Sequence, residues 1–204
     1  MAAERKEEIS AEDRTAHVIW CHPREDSLTA RVVDHVSDLL NQRGLNLDVL
    51  ELYGAEFDPS LRVDDEPDWE NPKKLYSEVV EQQVLRAQNA DYIIVVFPVW
   101  WFGLPALLKG YFDRVWNFGR MYGNDQPANV KGMLWLGLAG LPEESFTKRG
   151  YDTSLALLLN EGIAGYCGIS HSETVLLYDT LGEVQISRFQ DQVGAAISGL
   201  VTRK

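Results

Sequence analysis

The chain has 204 residues, 45% of them apolar, and a formal net charge of −12. This length suits one α/β domain that needs neither disulfides nor metal ions for its stability. The negative charge argues against a nucleic-acid-binding protein and against adsorption to anionic membranes, because no excess of cations is present to neutralise phosphates.

The two cysteines, Cys21 and Cys167, stand far apart and in no CxxC pair, so we expect no disulfide and a cytoplasmic location. No apolar run approaches the roughly 20 residues of a transmembrane helix, and we expect no membrane insertion. The four histidines are scattered over different predicted elements, so no metal site is expected. Residues 1–14 are polar and charged, which predicts a disordered leader before a single domain at 15–204.

The first half of the domain alternates predicted strands and helices. Residues 16–21 form a short apolar run that is typical of a buried parallel strand. Apolar residues at helical spacing follow over 28–40, and Gly44 ends this helix. Residues 45–52 predict a second strand. The acidic, proline-containing segment 53–72 has no clean period and predicts a long connection that carries function or lies over a site, although a solvated loop is the simpler interpretation.

The second half repeats the alternation. Residues 92–97 are apolar throughout and predict a central parallel strand. The helix before it is predicted to face inward with Leu75, Val79, Val84 and Ala87. Further strands are predicted at 133–138 and 172–177, and further helices at 104–115, 154–166 and 183–201. Five alternations predict a parallel sheet with helices on both faces.

Ligands of open parallel sheets bind beyond the carboxyl ends of the strands, so the loops after the strands are the candidate site. After the first strand, the N–H groups that begin a helix could hold a phosphate, with Ser27, Thr29 and His22 beside them. Ser27 or Thr29 could equally serve only as a helix cap. The loop contains neither GxGxxG nor GxxxxGK[ST], which argues against a dinucleotide Rossmann site or a nucleoside triphosphatase and favours a flavin phosphate.

Three consecutive aromatic residues, Trp100, Trp101 and Phe102, follow the strand at 92–97. They predict a wall that stacks on a flat polycyclic ligand, the alternatives being a core cluster or a dimer contact. After the fourth strand, the small residues Ala139 and Gly140 would allow the backbone to approach a ligand closely, or would form a simple turn.

Together these segments resemble the NAD(P)H:quinone oxidoreductase family of flavodoxin-like proteins, which includes the modulator-of-drug-activity type and the ancillary subunits of potassium-efflux systems. The resemblance rests on His22-Pro23 with Ser27-Leu28-Thr29 and on residues 97–115, FPVWWFGLPALLKGYFDRV, and it spans about 16–200. It implies a flavodoxin-like fold with a five-stranded parallel sheet of order 2-1-3-4-5.

The resemblance also implies FAD, or less often FMN, as a cofactor that passes two electrons as a hydride from NAD(P)H to quinone-like acceptors by a ping-pong mechanism. The chemistry would lie at flavin N5, no catalytic side chain is identified, and a homodimer with the site at its interface is implied. The cofactor-binding residues that it implies are His22, Ser27, Leu28 and Thr29 for the phosphates, Pro98, Val99, Trp100, Trp101, Phe102 and Gly103 for the ring, and Ala139, Gly140 and Leu141 for its other edge.

Two other functions remain open on the sequence. One is a one-electron FMN carrier, which the acidic charge suits and the aromatic loop does not. The other is a regulatory flavodoxin-like subunit of a channel or transcription factor. Arg114 and Arg120 could attract the phosphates of NAD(P)H, or could form salt bridges within the domain.

Overall fold

The computed structural model describes residues 14–123 and 129–202. The predicted leader lies outside the described residues except for Arg14. Arg14 Nη1 donates hydrogen bonds to the Tyr92 hydroxyl (3.1 Å) and to the Val201 carbonyl (3.3 Å). This arginine is therefore part of the folded domain.

The described residues contain a five-stranded, fully parallel sheet of order β2-β1-β3-β4-β5, which confirms the predicted fold. Its strands are β1 (Thr15–Trp20), β2 (Asn46–Glu51), β3 (Tyr92–Pro98), β4 (Gly132–Leu138) and β5 (Ser172–Leu177). Every residue of the central strands β3 and β4 is buried. Such strands read as continuous apolar runs because helices cover both faces of the sheet.

The helices are α1 (Leu28–Asn41), α2 (Glu78–Gln88), α3 (Ala106–Val115), α4 (Glu143–Thr147), α5 (Tyr151–Leu157) and α6 (Gln190–Thr202). Helices α1 and α6 pack on one face of the sheet, and α2, α3 and α5 pack on the other. None of the helices in the described part of the chain is long and apolar enough to span a membrane.

Two of the four residues predicted for the inner face of α2 are exposed, and the other two are buried as predicted. Leu75 precedes the helix and is 78% exposed, and Val79 is 50% exposed. The buried residues are Val80, Val84 and Ala87, which fall at positions i, i+4 and i+7. The first half of the predicted stripe was therefore placed one residue too early on the helix.

Two other predicted helices differ from the structure. The helix predicted at 154–166 is α5 followed by a π-helical segment (Leu158–Ala164) and a 3₁₀ turn (Gly165–Cys167). Asn160 lies in the π-helical segment, and its Oδ1 accepts hydrogen bonds from Ser172 Oγ and Thr174 Oγ1 of β5, at 2.9 and 3.0 Å. The last helix begins at Gln190 rather than at 183, and α4 lies in a segment predicted as loop.

The long connection after β2 is fixed to α3 by a buried ion pair. Asp65 and Arg114 are almost fully buried, with 2.6 Å between Asp65 Oδ2 and Arg114 Nη2. Ser77 N donates to Asp65 Oδ1 (2.8 Å), and Asn117 Nδ2 donates to the Asp65 carbonyl (2.6 Å). Burial raises the pKa of Asp65, but the hydrogen bonds from Arg114 and Ser77 hold it below its usual value.

Arg120 pairs in a similar way with Glu81 of α2, at 2.8 Å between Nη2 and Oε1. Both arginines that were considered for the phosphates of NAD(P)H therefore form salt bridges inside the domain. The segment also packs closely, since a Cβ at Gly110 of α3 would overlap Pro59.

Candidate functional site

A cavity opens at the carboxyl ends of β1, β3 and β4, where the sequence analysis placed the site. Its predicted lining residues are His22, Ser27, Leu28, Thr29, Pro98, Val99, Trp100 and Gly140. A second, more apolar depression adjoins it and adds the predicted residues Trp101, Phe102 and Leu141, with Phe146. Val99, Gly140 and Leu181 line both, so the two form one continuous surface.

Two of the predicted site residues do not line either depression. Ala139 is fully buried, and its backbone N–H donates to the Leu177 carbonyl (2.8 Å). Gly103 lies at the far end of the aromatic turn, where it pairs with Trp100. Both residues lie next to lining residues of the site in the chain but do not line it themselves.

Helix α1 begins at one end of the cavity. Ser27 is its N-cap, and Ser27 Oγ accepts a hydrogen bond from Ala30 N at 3.1 Å. Ser27 therefore caps helix α1 in this structure, which is the alternative to phosphate binding given in the sequence analysis. The N–H groups of Leu28 and Thr29 find no acceptor among the described residues, and the first turn holds no acidic residue. This end of the cavity therefore offers free donors and the positive end of a helix dipole.

His22 adds a neutral donor to the same end. Its Nδ1 lies 3.0 Å from Arg24 N and 3.3 Å from the Arg24 carbonyl, and the shorter of the two contacts makes Nδ1 an acceptor. Burial lowers the pKa of His22 below its usual value, which favours the neutral ring. A neutral imidazole whose Nδ1 accepts carries its hydrogen on Nε2. His22 can thus donate a hydrogen bond from Nε2.

The aromatic loop is a tight turn with a strained backbone. Trp100 N donates to the Gly103 carbonyl (3.2 Å), and Gly103 N donates to the Trp100 carbonyl (3.0 Å). The two residues between them, Trp101 and Phe102, have φ values of 51° and 61°. Turns of this kind favour Asn-Gly, and bulky residues there are strained. Such strain persists where the surroundings enforce it, and it is concentrated at functional sites.

The turn directs its polar and apolar groups outward. The N–H groups of Trp101 and Phe102 make no hydrogen bond with any described residue. The Trp101 side chain is 96% exposed, while Trp100 and Phe102 are each 40% exposed. The alternative of a core cluster is therefore wrong for Trp101. The Phe102 ring packs instead on Tyr151, and Phe146 lies beside both.

Sequence reasoning missed part of the lining. The missed residues of the cavity are Arg24, Asp26, Arg31, Leu138 and residues 180–182. Residues 180–182 follow β5, and the rule that ligands lie beyond strand ends would have identified them if it had been applied to the fifth strand. The two arginines carried no motif that marked them in the sequence.

The comparisons with known proteins identify the family and the fold of the chain. A family model described as "Flavodoxin-like fold" matches residues 14–198. The uncharacterised NAD(P)H oxidoreductase YcaK of Escherichia coli K12 is 37% identical over 165 residues, which cover 81% of this chain and 84% of that protein. NAD(P)H dehydrogenase [quinone] 1 of Cavia porcellus is 26% identical over 190 residues, 81% of this chain and 68% of that protein.

Solved structures share the fold. An NAD(P)H:quinone oxidoreductase from Methanothermobacter marburgensis superimposes with a TM-score of 0.80 at 22% identity, covering 92% of this chain and 95% of that one. An FMN-dependent NADH-azoreductase from Bacillus anthracis, solved in complex with FMN, has a TM-score of 0.69 at 16% identity, covering 92% and 99%.

Proposed function

This chain belongs to the flavodoxin-like fold family, whose model matches residues 14–198, and we propose that it is a flavin-dependent NAD(P)H oxidoreductase that reduces quinones or similar acceptors. The observation that carries the proposal is the continuity of the site. A polar end at the N-terminus of α1 joins an apolar end beside Trp101 and Phe102. This is the shape and chemistry of a planar cofactor with a phosphate tail.

The described residues fit such a cofactor at both ends. The free N–H groups of Leu28 and Thr29 suit a phosphate, and His22 adds its Nε2–H. At the other end, the free N–H groups of Trp101 and Phe102 suit the electron-rich edge of a flavin ring. A Cβ at Gly140 would lie 3.0 Å from the Leu181 side chain, so a residue larger than glycine would crowd this part of the site.

Flavin, when bound, would accept a hydride from NAD(P)H and deliver two electrons to the acceptor. The protein's part is to bind, orient and exclude water. The depression formed by Trp101, Phe102, Leu141 and Phe146 is apolar enough to seat the nicotinamide and then the acceptor in the same place. Because the nicotinamide and the acceptor would use the same binding site, one must leave before the other binds, and this is the physical basis of the ping-pong order that we propose.

The comparisons support flavin binding more firmly than they support FAD or FMN in particular. The resemblance in sequence implies FAD. Two of the structures that share the fold were solved with FMN, namely the azoreductase from Bacillus anthracis and general stress protein 14 from Treponema denticola, so these comparisons support FMN better than FAD.

Homodimer formation and a cytoplasmic location belong to the same proposal. Exposed apolar side chains, namely Leu157, Leu158 and Tyr166, lie on and after α5 and support an interface between copies of the chain. Cys21 and Cys167 are free and buried, as is usual in reducing compartments.

The test is the absorption spectrum of the purified protein, followed by steady-state kinetics with NADH or NADPH and a quinone. We expect a yellow protein, or a colourless one that becomes yellow with added flavin, and parallel lines in double-reciprocal plots. A protein that takes up no flavin would contradict the proposal. A flavoprotein that oxidises no NAD(P)H would instead be an electron carrier or a regulatory subunit.

A further inference from the structure

The loop after β5 places an exposed leucine at the rim of the site. Leu181 lines both the polar cavity and the apolar depression, and it is not among the residues proposed above to hold the flavin. Its side chain is 75% exposed. A single exposed leucine is ordinary on a protein surface, but one at the rim of an apolar depression offers contact area to a ligand.

Backbone hydrogen bonds fix the position of Leu181. Asp179 N donates to the Leu141 carbonyl (3.2 Å), and Thr180 N donates to the Ala139 carbonyl (3.1 Å). The loop after β5 is therefore joined to the loop after β4 immediately before Leu181. A side chain on a fixed loop loses little conformational entropy when a ligand contacts it, so its contact area contributes efficiently to binding.

The Leu181 side chain also lies against Gly140. A Cβ at Gly140 would be 3.0 Å from Cγ and from Cδ2 of Leu181, which is closer than the roughly 3.5–4.0 Å of ordinary carbon contacts. The absence of a side chain at Gly140 therefore allows the leucine to rest there. One side of Leu181 is supported by the protein, and the remaining surface faces the site.

The apolar depression recognises its ligand by contact rather than by polar groups of side chains. The described residues that line it carry no charged, hydroxyl or amide side chain. Among them, Trp101 is 96% exposed and Leu181 is 75% exposed, whereas Phe102 and Leu141 are each 40% exposed. Leu181 therefore offers the largest exposed fraction of any aliphatic side chain there, and a ligand with an additional apolar ring would cover it.

Resting on the proposed function, we propose that Leu181 is a specificity-determining residue of the acceptor site. Its side chain contacts the apolar ring that is fused to the quinoid ring of an acceptor, and it thereby selects naphthoquinones over benzoquinones. One methylene group in an apolar pocket changes the selection of a substrate by about 10–200-fold. A contact at an open rim is expected to give the lower end of this range.

The experiment follows the reoxidation of the flavin-loaded protein after stoichiometric reduction with dithionite. The reduced protein is mixed with benzoquinone or with naphthoquinone in a stopped-flow instrument. In Leu181→Ala, we expect the rate constant with naphthoquinone to fall about five- to tenfold and that with benzoquinone to fall less than about twofold. Because each variant is compared with the wild type on the same acceptor, the different reduction potentials of the two quinones cancel.

Two further variants separate apolar contact from bulk. Leu181→Met keeps an apolar side chain of similar volume and is expected to retain the preference within about twofold. Leu181→Gln has a similar size but a polar tip, and it is expected to lose the preference as Leu181→Ala does. The matched control is Leu75→Ala, because Leu75 is 78% exposed and lines neither depression. It is expected to leave the ratio of the two rate constants unchanged.

A binding measurement tests the same contact without turnover. Naphthol has the two fused rings of naphthoquinone but accepts no electrons from the flavin. Its binding to the oxidised, flavin-loaded protein is followed by the change in the visible flavin spectrum. We expect the dissociation constant of naphthol to rise about fivefold in Leu181→Ala and less than about twofold in Leu75→Ala.

The outcomes separate this inference from the proposed function. A wild type that binds no flavin, or that oxidises no NAD(P)H with either quinone, overturns both. If the wild type is active but Leu181→Ala and Leu181→Gln keep its preference, the inference fails and the proposed function stands. The inference also fails if Leu181→Ala weakens flavin binding while the ratio of the two rate constants is unchanged, since Leu181 would then contact the cofactor instead of the acceptor.

Discussion

The Phe102 ring lies on the Tyr151 ring, with centroids 4.0 Å apart and planes inclined by 31°. Phe102 belongs to the strained turn after β3, and Tyr151 begins α5 beyond β4. Aromatic pairs contribute about 0.5–1.5 kcal/mol beyond their burial. Contact between the two rings therefore helps to offset the backbone strain and to hold the free N–H groups of the turn in place.

Replacing Tyr151 with alanine is expected to weaken flavin binding by about two- to tenfold, because the stacking energy that orients the turn is lost. Tyr151→Phe keeps the ring and is the matched control, expected to bind flavin within about twofold of the wild type. Fluorescence titration measures both. Equal losses in the two variants would show that the hydroxyl group, rather than the ring, is what matters.

Trp101→Gly is expected to stabilise the flavin-free protein while weakening its binding of flavin. Trp101 is 96% exposed, so little packing is lost, and glycine removes a left-handed strain of about 1–2 kcal/mol at an entropic cost of about 0.5–1 kcal/mol. Urea unfolding measures the first effect and titration with flavin the second. Phe102→Gly relieves the same kind of strain but also loses the Tyr151 contact, so a gain in stability there would argue against the role given to that contact.

Arg114→Met is expected to lower the free energy of unfolding by about 3–5 kcal/mol, because it leaves the Asp65 carboxylate buried without its ion partner. Urea denaturation measures the loss. Arg62→Met removes an arginine from an exposed pair with Asp58, and we expect no measurable change there. A small effect of Arg114→Met would mean that water reaches Asp65.

The stability of the fold is expected to fall with acid below about pH 4. The pKa values of Asp65 and Glu81 are raised by burial but held below their usual values, 3.8 and 4.5, by hydrogen bonds from Arg114 and Arg120. A carboxyl group whose folded pKa is depressed stabilises the protein above its unfolded pKa, and this contribution is lost as the pH falls through the folded pKa.

Urea midpoints between pH 7 and pH 2 measure this dependence. Asp65→Asn is expected to be less stable at pH 7 and to lose less stability on acidification. A variant whose midpoint fell as steeply as that of the wild type would assign the acid sensitivity to other carboxyl groups.

The sequence predicted the sheet and the position of the cavity from its pattern of apolar runs. Apolar runs such as residues 92–97 mark buried parallel strands, and a site beyond strand ends follows from the topology. The prediction of the inner face of α2 failed in part because Leu75 and Val79 form an apolar stripe that is one residue out of phase with the buried one.

The rest of the site depends on tertiary structure. Nothing local to Trp101 and Phe102 predicts two left-handed residues, since bulky side chains disfavour that region. The stack of Phe102 on Tyr151 joins residues that are distant in the chain. Arg31 occupies an ordinary position of a helix in the sequence, and only the structure shows that it lines the cavity and that its Nε is buried without a hydrogen-bond partner among the described residues.

The burial of both thiols has a consequence for the quinone reduction that we propose. Quinones are electrophiles that arylate thiolates by conjugate addition, so a reactive cysteine near the acceptor would inactivate the enzyme during turnover. Burial raises the pKa values of Cys21 and Cys167 to about 12, so both thiols stay protonated at pH 7. The chain therefore presents its acceptors with almost no nucleophilic sulfur, and we expect it to survive many cycles with arylating substrates.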